Sequence, residues 1–142
     1  MKVRDVMTRD VACVDVNDNV ERAAQLMNEY NVGSVPVCEN GKVVGIITDR
    51  DITLRSVAKG AESCSQTVRE IMSSNPVCGS PDQDVHDAAR IMSERQIRRL
   101  PIVENGRLVG MISLGDIAVE PTLKDNAEEA LKSISEPCSP NM

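Results

Sequence analysis

A mixed α/β (α+β) fold, built twice from one β-α-β-β-α unit, follows from three observations in the 142-residue chain. Residues 3–52 align with 68–117 without a gap: VRDVM with VREIM, VERAAQLMNE with VHDAARIMSE, and VPVCENGKVVGIITDRDI with LPIVENGRLVGMISLGDI. Apolar residues recur three or four apart in one segment of each copy, which is the period of an amphipathic helix. Each copy also carries Asn-Gly between two apolar runs, the strongest short-range signal for a β-hairpin. A unit used twice points to duplication, and two such units are expected to pack about a pseudo-twofold axis, each covering the other's apolar face.

The elements follow in the same order in both copies. A short opening segment (Val3–Met7, Val68–Met72) leads to a small strand near Ala12–Val16 or Val77–Gly79. An amphipathic helix is predicted over about Val20–Asn31 and Val85–Gln96, with Val20, Ala23, Ala24 and Met27 on one face. Asn19 and Asp84 are suitable N-caps. Two strands, Ser34–Cys38 and Lys42–Thr48, then meet at Asn40-Gly41, where a type I′ turn needs φ > 0 at both central residues, and the second copy repeats this at Asn105-Gly106. A second helix is predicted near Arg50–Ala58 and Gly115–Val119. The polar stretch KGAESCSQT reads as a linker, so the expected organisation is repeat 1 over 1–58, linker 59–67, repeat 2 over 68–119, and a C-terminal segment over 120–142. Within that segment, Leu123, Ala127, Ala130, Leu131 and Ile134 predict a helix over about Thr122–Ile134 that packs on the body or a partner, followed by a disordered tail from Ser135 to Met142.

Composition removes several function classes. The chain has no Phe or Trp and one Tyr, Tyr30, which argues against base-stacking RNA platforms. Sixteen basic against 22 acidic residues give a net charge of -6, so a phosphate backbone is repelled and nucleic acid is not expected as a partner. No apolar run approaches membrane-spanning length, and the N-terminus lacks the apolar region of a secretory signal. The five cysteines, Cys13, Cys38, Cys64, Cys78 and Cys138, form no CxxC pair, which predicts a cytoplasmic protein with reduced thiols.

The strand-to-helix junction recurs as Gly45-Ile46-Ile47-Thr48-Asp49-Arg50-Asp51 and Gly110-Met111-Ile112-Ser113-Leu114-Gly115-Asp116. A hydroxyl followed by an acid three residues later is the pattern of a capping box. The same positions could also hold a ligand, because a helix start suits a phosphate and a carboxylate can accept from a ribose diol. A second recurring element is Val32-Gly33-Ser34-Val35-Pro36 and Ile97-Arg98-Arg99-Leu100-Pro101. Proline cannot donate to a strand ladder, so Pro36 and Pro101 are expected at an edge or bulge, with neighbouring backbone groups left to read a base. Arg98-Arg99 stand out in an acidic chain, either as solvated surface or as a phosphate clamp.

Taken together in register, the two Gly-apolar-apolar-Thr/Ser-x-x-Asp junctions, the VRDVM and VREIM openings, the SVPV and RLPI strands and the two ENG turns resemble a tandem CBS (cystathionine beta-synthase) domain pair, or Bateman module, of the stand-alone bacterial or archaeal type. The resemblance covers about residues 1–119. It implies a regulatory module that binds an adenine nucleotide (AMP, ADP or ATP), or another adenosine-containing ligand, in two clefts between the repeats. By the same resemblance Asp51 and Asp116 would hold ribose hydroxyls, and Thr48 and Ser113 would contact ribose or phosphate. Backbone near Ala12-Cys13 and Val77-Cys78, with Val35, Pro36, Leu100 and Pro101, would flank adenine. Arg98 and Arg99 would contact phosphate. The first junction carries Asp49 and Arg50 where the second carries Leu114-Gly115, so the cleft at Asp116 and Arg98-Arg99 is expected to be the stronger phosphate site.

No catalytic pattern is present: GxSxG, Walker A, HExxH and the dinucleotide-binding glycines are all missing, and His86, the single histidine, reads as a solvated surface residue. No enzymatic activity and no metal are expected. Cys13 and Cys78 are repeat-equivalent and read first as small buried hydrophobes. Signalling would run through a conformational change, passed on by a homodimer, with Tyr30 and the apolar helix faces at its interface, or by a separate effector protein. Two other classes remain open: a structural or oligomerisation module without ligand, and a metal- or redox-responsive protein using these thiols.

Overall fold

The computed structural model describes residues 1–137, so the expected tail lies outside the described residues from Cys138 on, and Ser135, expected to begin that tail, instead ends a helix. The elements are α1 (Val3–Val6), β1 (Val14–Asp15), α2 (Val20–Tyr30), β2 (Ser34–Glu39), β3 (Lys42–Thr48), α3 (Asp49–Ile52), α4 (Val68–Ile71), β4 (Ser73–Ser74), α5 (Val85–Arg95), β5 (Arg99–Glu104), β6 (Arg107–Ser113), α6 (Leu114–Ala118) and α7 (Lys124–Ser135). A π-helical turn, Thr53–Val57, extends α3, and a short 3-10 turn, Pro121–Leu123, leads into α7. The mixed α/β class is the one the periodicities predict, and the β-α-β-β-α order holds in full in the first repeat, while the second lacks a full first strand.

The compact units and the sequence repeats divide the chain differently. One unit contains residues 1–10, 78–104 and 109–142, and the other contains 11–77 and 105–108. Each opening segment thus belongs with the body of the other repeat. The cause is local. In the unit holding the second repeat, Val3 and Arg4 N–H groups donate to Gln83 and Pro81 carbonyls at 2.9 and 3.0 Å, and Thr8 bridges Met111. In the other, Val68 and Arg69 N–H groups donate to Asp18 and Val16 carbonyls at 2.8 and 3.1 Å, and β4 pairs with β3. The glycine that opens each junction makes room for this. A Cβ on Gly45 would lie 2.6 Å from Met72 Sδ and 2.8 Å from Ser73 O, and one on Gly110 would lie 2.6 Å from Met7 Sδ and 2.9 Å from Thr8 O. Real side chains do not approach that closely, so the conformational cost of glycine in a strand is offset by the methionine packed over it.

In the unit of residues 11–77, β2 lies between β1 and β3, parallel to the first (Val14↔Val37) and antiparallel to the second (Val35↔Ile47). Val14, Val16, Val35, Val37 and Ile47 form the core with Val20, Ala23, Leu26 and Met27 of α2 and with Val68 and Ile71 of α4. Ala24 was expected on that buried face and is exposed, with Leu26 buried in its place. Pro36 sits inside β2 opposite Ile46 rather than on an outer edge, and a bulge follows between Val37 and Cys38. The hairpin turns match the Asn-Gly expectation, with Asn40 at φ 53 and Gly41 at φ 81, and Asn105 at φ 55 and Gly106 at φ 80. The left-handed C-caps Asn31 and Gln96 end α2 and α5 one residue short of the predicted bounds.

In the unit of the second repeat, the strand expected over Val77–Gly79 is reduced to a single parallel bridge, Gly79↔Ile102. α7 packs on α5 and α6, burying Leu123, Ala127 and Ala130. This is why Ala89 is 4% exposed while its repeat-equivalent Ala24 faces solvent. No helix among the described residues is long and apolar enough to cross a membrane.

Candidate functional site

Both junctions fold as complete capping boxes. Thr48 Oγ1 accepts from the Asp51 N–H at 3.0 Å, and Asp51 Oδ2 accepts from the Thr48 N–H at 3.0 Å. Ser113 Oγ accepts from the Asp116 N–H at 3.1 Å, and Asp116 Oδ2 accepts from the Ser113 N–H at 2.9 Å. The hydroxyl and the acid are therefore first of all what starts each helix. A carboxylate oxygen has more than one lone pair and each acid has a second oxygen, so the cap leaves capacity for a ligand hydroxyl.

What surrounds the two boxes differs. Asp51 is nearly buried, and its other oxygen lies 3.8 Å from Arg55, whose guanidinium also donates to Ile71 O at 2.9 Å. Asp116 is half-buried and has no ion pair among the described residues. Beside the first junction the Asp49 carboxylate is held by the Arg50 N–H at 2.8 Å, and a Cβ placed on Gly33 would lie 3.1 Å from Asp49 Oδ2. The place that corresponds to Arg98 is thus filled by a negative group.

Beside the second junction there is a cavity of about 490 Å³, lined by Arg98, Arg99, Ser113, Leu114 and Gly115 and, across from them, by α7 with Lys124, Glu128 and Leu131. Its size lies in the range of small-molecule sites. Three cations against one carboxylate give it a positive mouth in an acidic chain, while Leu114, Ala118, Ala127 and Leu131 supply an apolar wall. Sequence reasoning named Arg98, Arg99 and Ser113 and missed the wall from α7. The readable signal was Lys124, a cation in the first turn of a helix, where the dipole disfavours positive charge.

The other sequence-predicted residues are placed as follows. Val35 and Leu100 are fully buried, and Pro36 and Pro101 are buried with them, so their side chains are core packing, and any contact with a base must come from their backbone. Ala12, Val77 and Cys78 are half-buried, while Arg50 and Cys13 are exposed. Cys13 was expected as a buried hydrophobe; it precedes β1 at the surface, and Cys38 is the buried thiol of that region. Asp116, Leu100, Pro101, Val77 and Cys78 do not line the cavity. His86 is exposed, with its ring Nδ1 2.7 Å from Asp84 Oδ1, and the hydrogen bonds from the His86 amide and ring hold the Asp84 carboxyl below its usual range. Among the described residues, no group of three or more His, Cys, Asp or Glu side chains lies close enough together to hold a metal ion.

Comparison with known proteins fits this architecture. The CBS-domain family model matches residues 3–57 and 68–121. The CBS domain-containing protein YhcV of Bacillus subtilis is 45% identical over 133 residues, which is 94% of either chain. Among solved structures, Hypoxic Response Protein I with two coordinated zinc ions superposes with a TM-score of 0.78 at 30% identity, covering 84% of this chain and 98% of that one. The CBS domain pair of protein MJ0100, in complex with 5-methylthioadenosine and S-adenosyl-L-methionine, gives 0.73 at 29% identity over 83% of this chain and 93% of that one. With two matched repeats and a relative similar along nearly its whole length, this chain belongs to the CBS domain family.

Proposed function

We propose that the protein is a non-catalytic regulatory CBS pair that binds an adenosine-containing ligand of the AMP, ADP or ATP class. The phosphates would lie against Arg98, Arg99, Lys124 and the Ser113 turn; Asp116, which closes that turn but does not itself line the cavity, would accept from the ribose through the oxygen that the cap leaves free. The observation that carries this reading is the cation-rimmed cavity beside the second capping box, in a chain whose net charge is -6. The adenosine compounds bound by the CBS pair of MJ0100 support the choice of ligand class. Hypoxic Response Protein I carries two coordinated zinc ions, so a metal-responsive CBS pair is the second reading, and metal analysis of untagged protein distinguishes it.

Regulation requires unequal affinity for two states. In this proposal α7 is the responding element, since it forms one wall of the cavity and is joined to the unit by α5 and α6. The output passes through a homodimer or a separate effector protein in the cytoplasm. Tyr30, Leu54 and Val57, 41%, 46% and 66% exposed on α2 and the π-turn, support self-association of that face.

A thermal-shift panel of AMP, ADP, ATP, NAD and S-adenosylmethionine, with GMP and GTP as controls, tests the ligand. An adenylate at a hundred times its dissociation constant stabilises the fold by about 2.7 kcal/mol, a shift of several degrees. A panel with no shift for any adenosine compound, or equal shifts for guanosine compounds, would overturn the ligand class.

A further inference from the structure

Two thiols come near each other in the unit that contains β1 and β2. In the parallel ladder Asp15 stands opposite Cys38, and the Val16 N–H donates to Cys38 O at 3.1 Å. Side chains in register on paired strands point to the same side of the sheet. Asp15 and Cys38 therefore share a face, and Cys13 stands two residues before Asp15, just ahead of β1. A bulge between Val37 and Cys38 interrupts the ladder there, and the Cys13 sulfur lies near enough to Cys38 to help raise its thiol. Their exposures differ: Cys13 faces solvent, whereas Cys38 is 9% exposed. The second repeat has Cys78 at the first position but Val103 at the second, so the pair is built once.

We propose that Cys13 and Cys38 form a reversible redox pair, in which a hydroperoxide oxidises Cys13 and Cys38 closes the disulfide. The Cys13 thiolate attacks the outer peroxide oxygen, giving a sulfenic acid, and the alkoxide that leaves takes up a proton to become an alcohol, or water when the oxidant is hydrogen peroxide. Cys38 sulfur then displaces the sulfenic oxygen as water, using its own thiol proton. Two thiols and one hydroperoxide thus become one disulfide, one alcohol and one water. The product ties the leading end of β1 to β2. Burial, helped by the nearby Cys13 sulfur and by Asp15, pushes the Cys38 thiol up to about 12. That keeps Cys38 protonated at neutral pH and leaves Cys13 as the thiol that an oxidant meets first.

The experiment uses the full chain. Reduced protein is treated with one equivalent of hydrogen peroxide, alkylated in denaturant and digested with trypsin, which places Cys13 in peptide 10–22 and Cys38 in peptide 23–42. The expected result is a linked pair of these two peptides with the loss of two hydrogens, absent after dithiothreitol. The Cys38→Val variant, which takes the residue that the second repeat uses at this position, folds and instead gives a Cys13 sulfenic acid trapped by dimedone; Cys64→Ser leaves the linkage intact. Recovery of peptide 23–42 with Cys38 fully alkylated, or linkage of Cys13 to any sulfur other than Cys38, overturns the proposal.

Discussion

The two strand-to-helix junctions have the same backbone solution and opposite electrostatics. At Thr48–Asp51 the acid that closes the capping box is nearly buried and shared with Arg55, and the Asp49 carboxylate fills the space over Gly33. At Ser113–Asp116 the acid is half-buried, Leu114 replaces the carboxylate, and Arg98, Arg99 and Lys124 face a cavity. The capping box fixes where a hydroxyl and a carboxylate sit; their neighbours decide whether an anion can approach. Duplication preserved the first and let the second diverge.

The largest effect expected from breaking this comparison is on stability. Leu100 and Val35 occupy equivalent, fully buried positions. Leu100→Ala should cost about 2–5 kcal/mol in urea unfolding, and Val35→Ala, which deletes fewer atoms, should cost less. Leu100→Met conserves volume and should keep both stability and ligand affinity. Loss of affinity in that variant without loss of stability would return Leu100 from the core to the ligand.

Smaller, and aimed at the site, is the contrast between the two acids. Asp116→Asn and Asp51→Asn weaken equivalent caps, and Asp51→Asn also loses its Arg55 partner, so ligand affinities are compared alongside each variant's unfolding midpoint. A hydrogen bond to a charged group contributes roughly 1.5–3 kcal/mol, so calorimetry should show about a 10- to 100-fold loss for Asp116→Asn. Asp51→Asn should lose less. The reverse order would move the stronger site to the first junction.

The repeats also differ at Cys38 and Val103, and this should show as a gentle pH effect. The Cys38 thiol is raised from 9.0 to about 12 by burial first, then by Cys13 and Asp15. Between those values the unfolded chain has released the proton and the folded chain keeps it. Folding is therefore favoured less as pH rises above 9, and the stability is lost progressively toward pH 12. Cys78 is raised by burial as well and acts in the same direction. Urea midpoints measured from pH 8 to 10.5 should fall more steeply for the wild type than for Cys38→Val, and equal slopes would contradict the burial of this thiol.

Much of the fold was legible because its signals are local. The Asn-Gly turns, the helical spacing of Val20, Ala23 and Met27, and the Thr/Ser-x-x-Asp caps each fix a short stretch of backbone without reference to the rest of the chain. The exchange of opening segments was not legible, since VRDVM carries no mark of which repeat buries Val3. Its trace was in Gly45 and Gly110, whose need for space appears only once Met72 and Met7 are packed over them. Likewise Ala24 and Ala89 look identical in sequence, and α7 alone makes one of them buried. The site was half-read for the same reason. Arg98, Arg99 and Ser113 share a recognisable motif, whereas Lys124 and Leu131 reach the cavity through a helix that lies beyond the repeats.

The central claim is tested most directly by titrating ATP and AMP calorimetrically into the wild type and into the double variant Arg98→Gly with Arg99→Ser, which gives the second repeat the residues of the first. The account predicts that the wild type binds an adenylate, more weakly as salt is raised, and that the double variant loses at least tenfold in affinity while its unfolding midpoint without ligand is unchanged. Undiminished binding by the double variant, or no binding by the wild type, would contradict it.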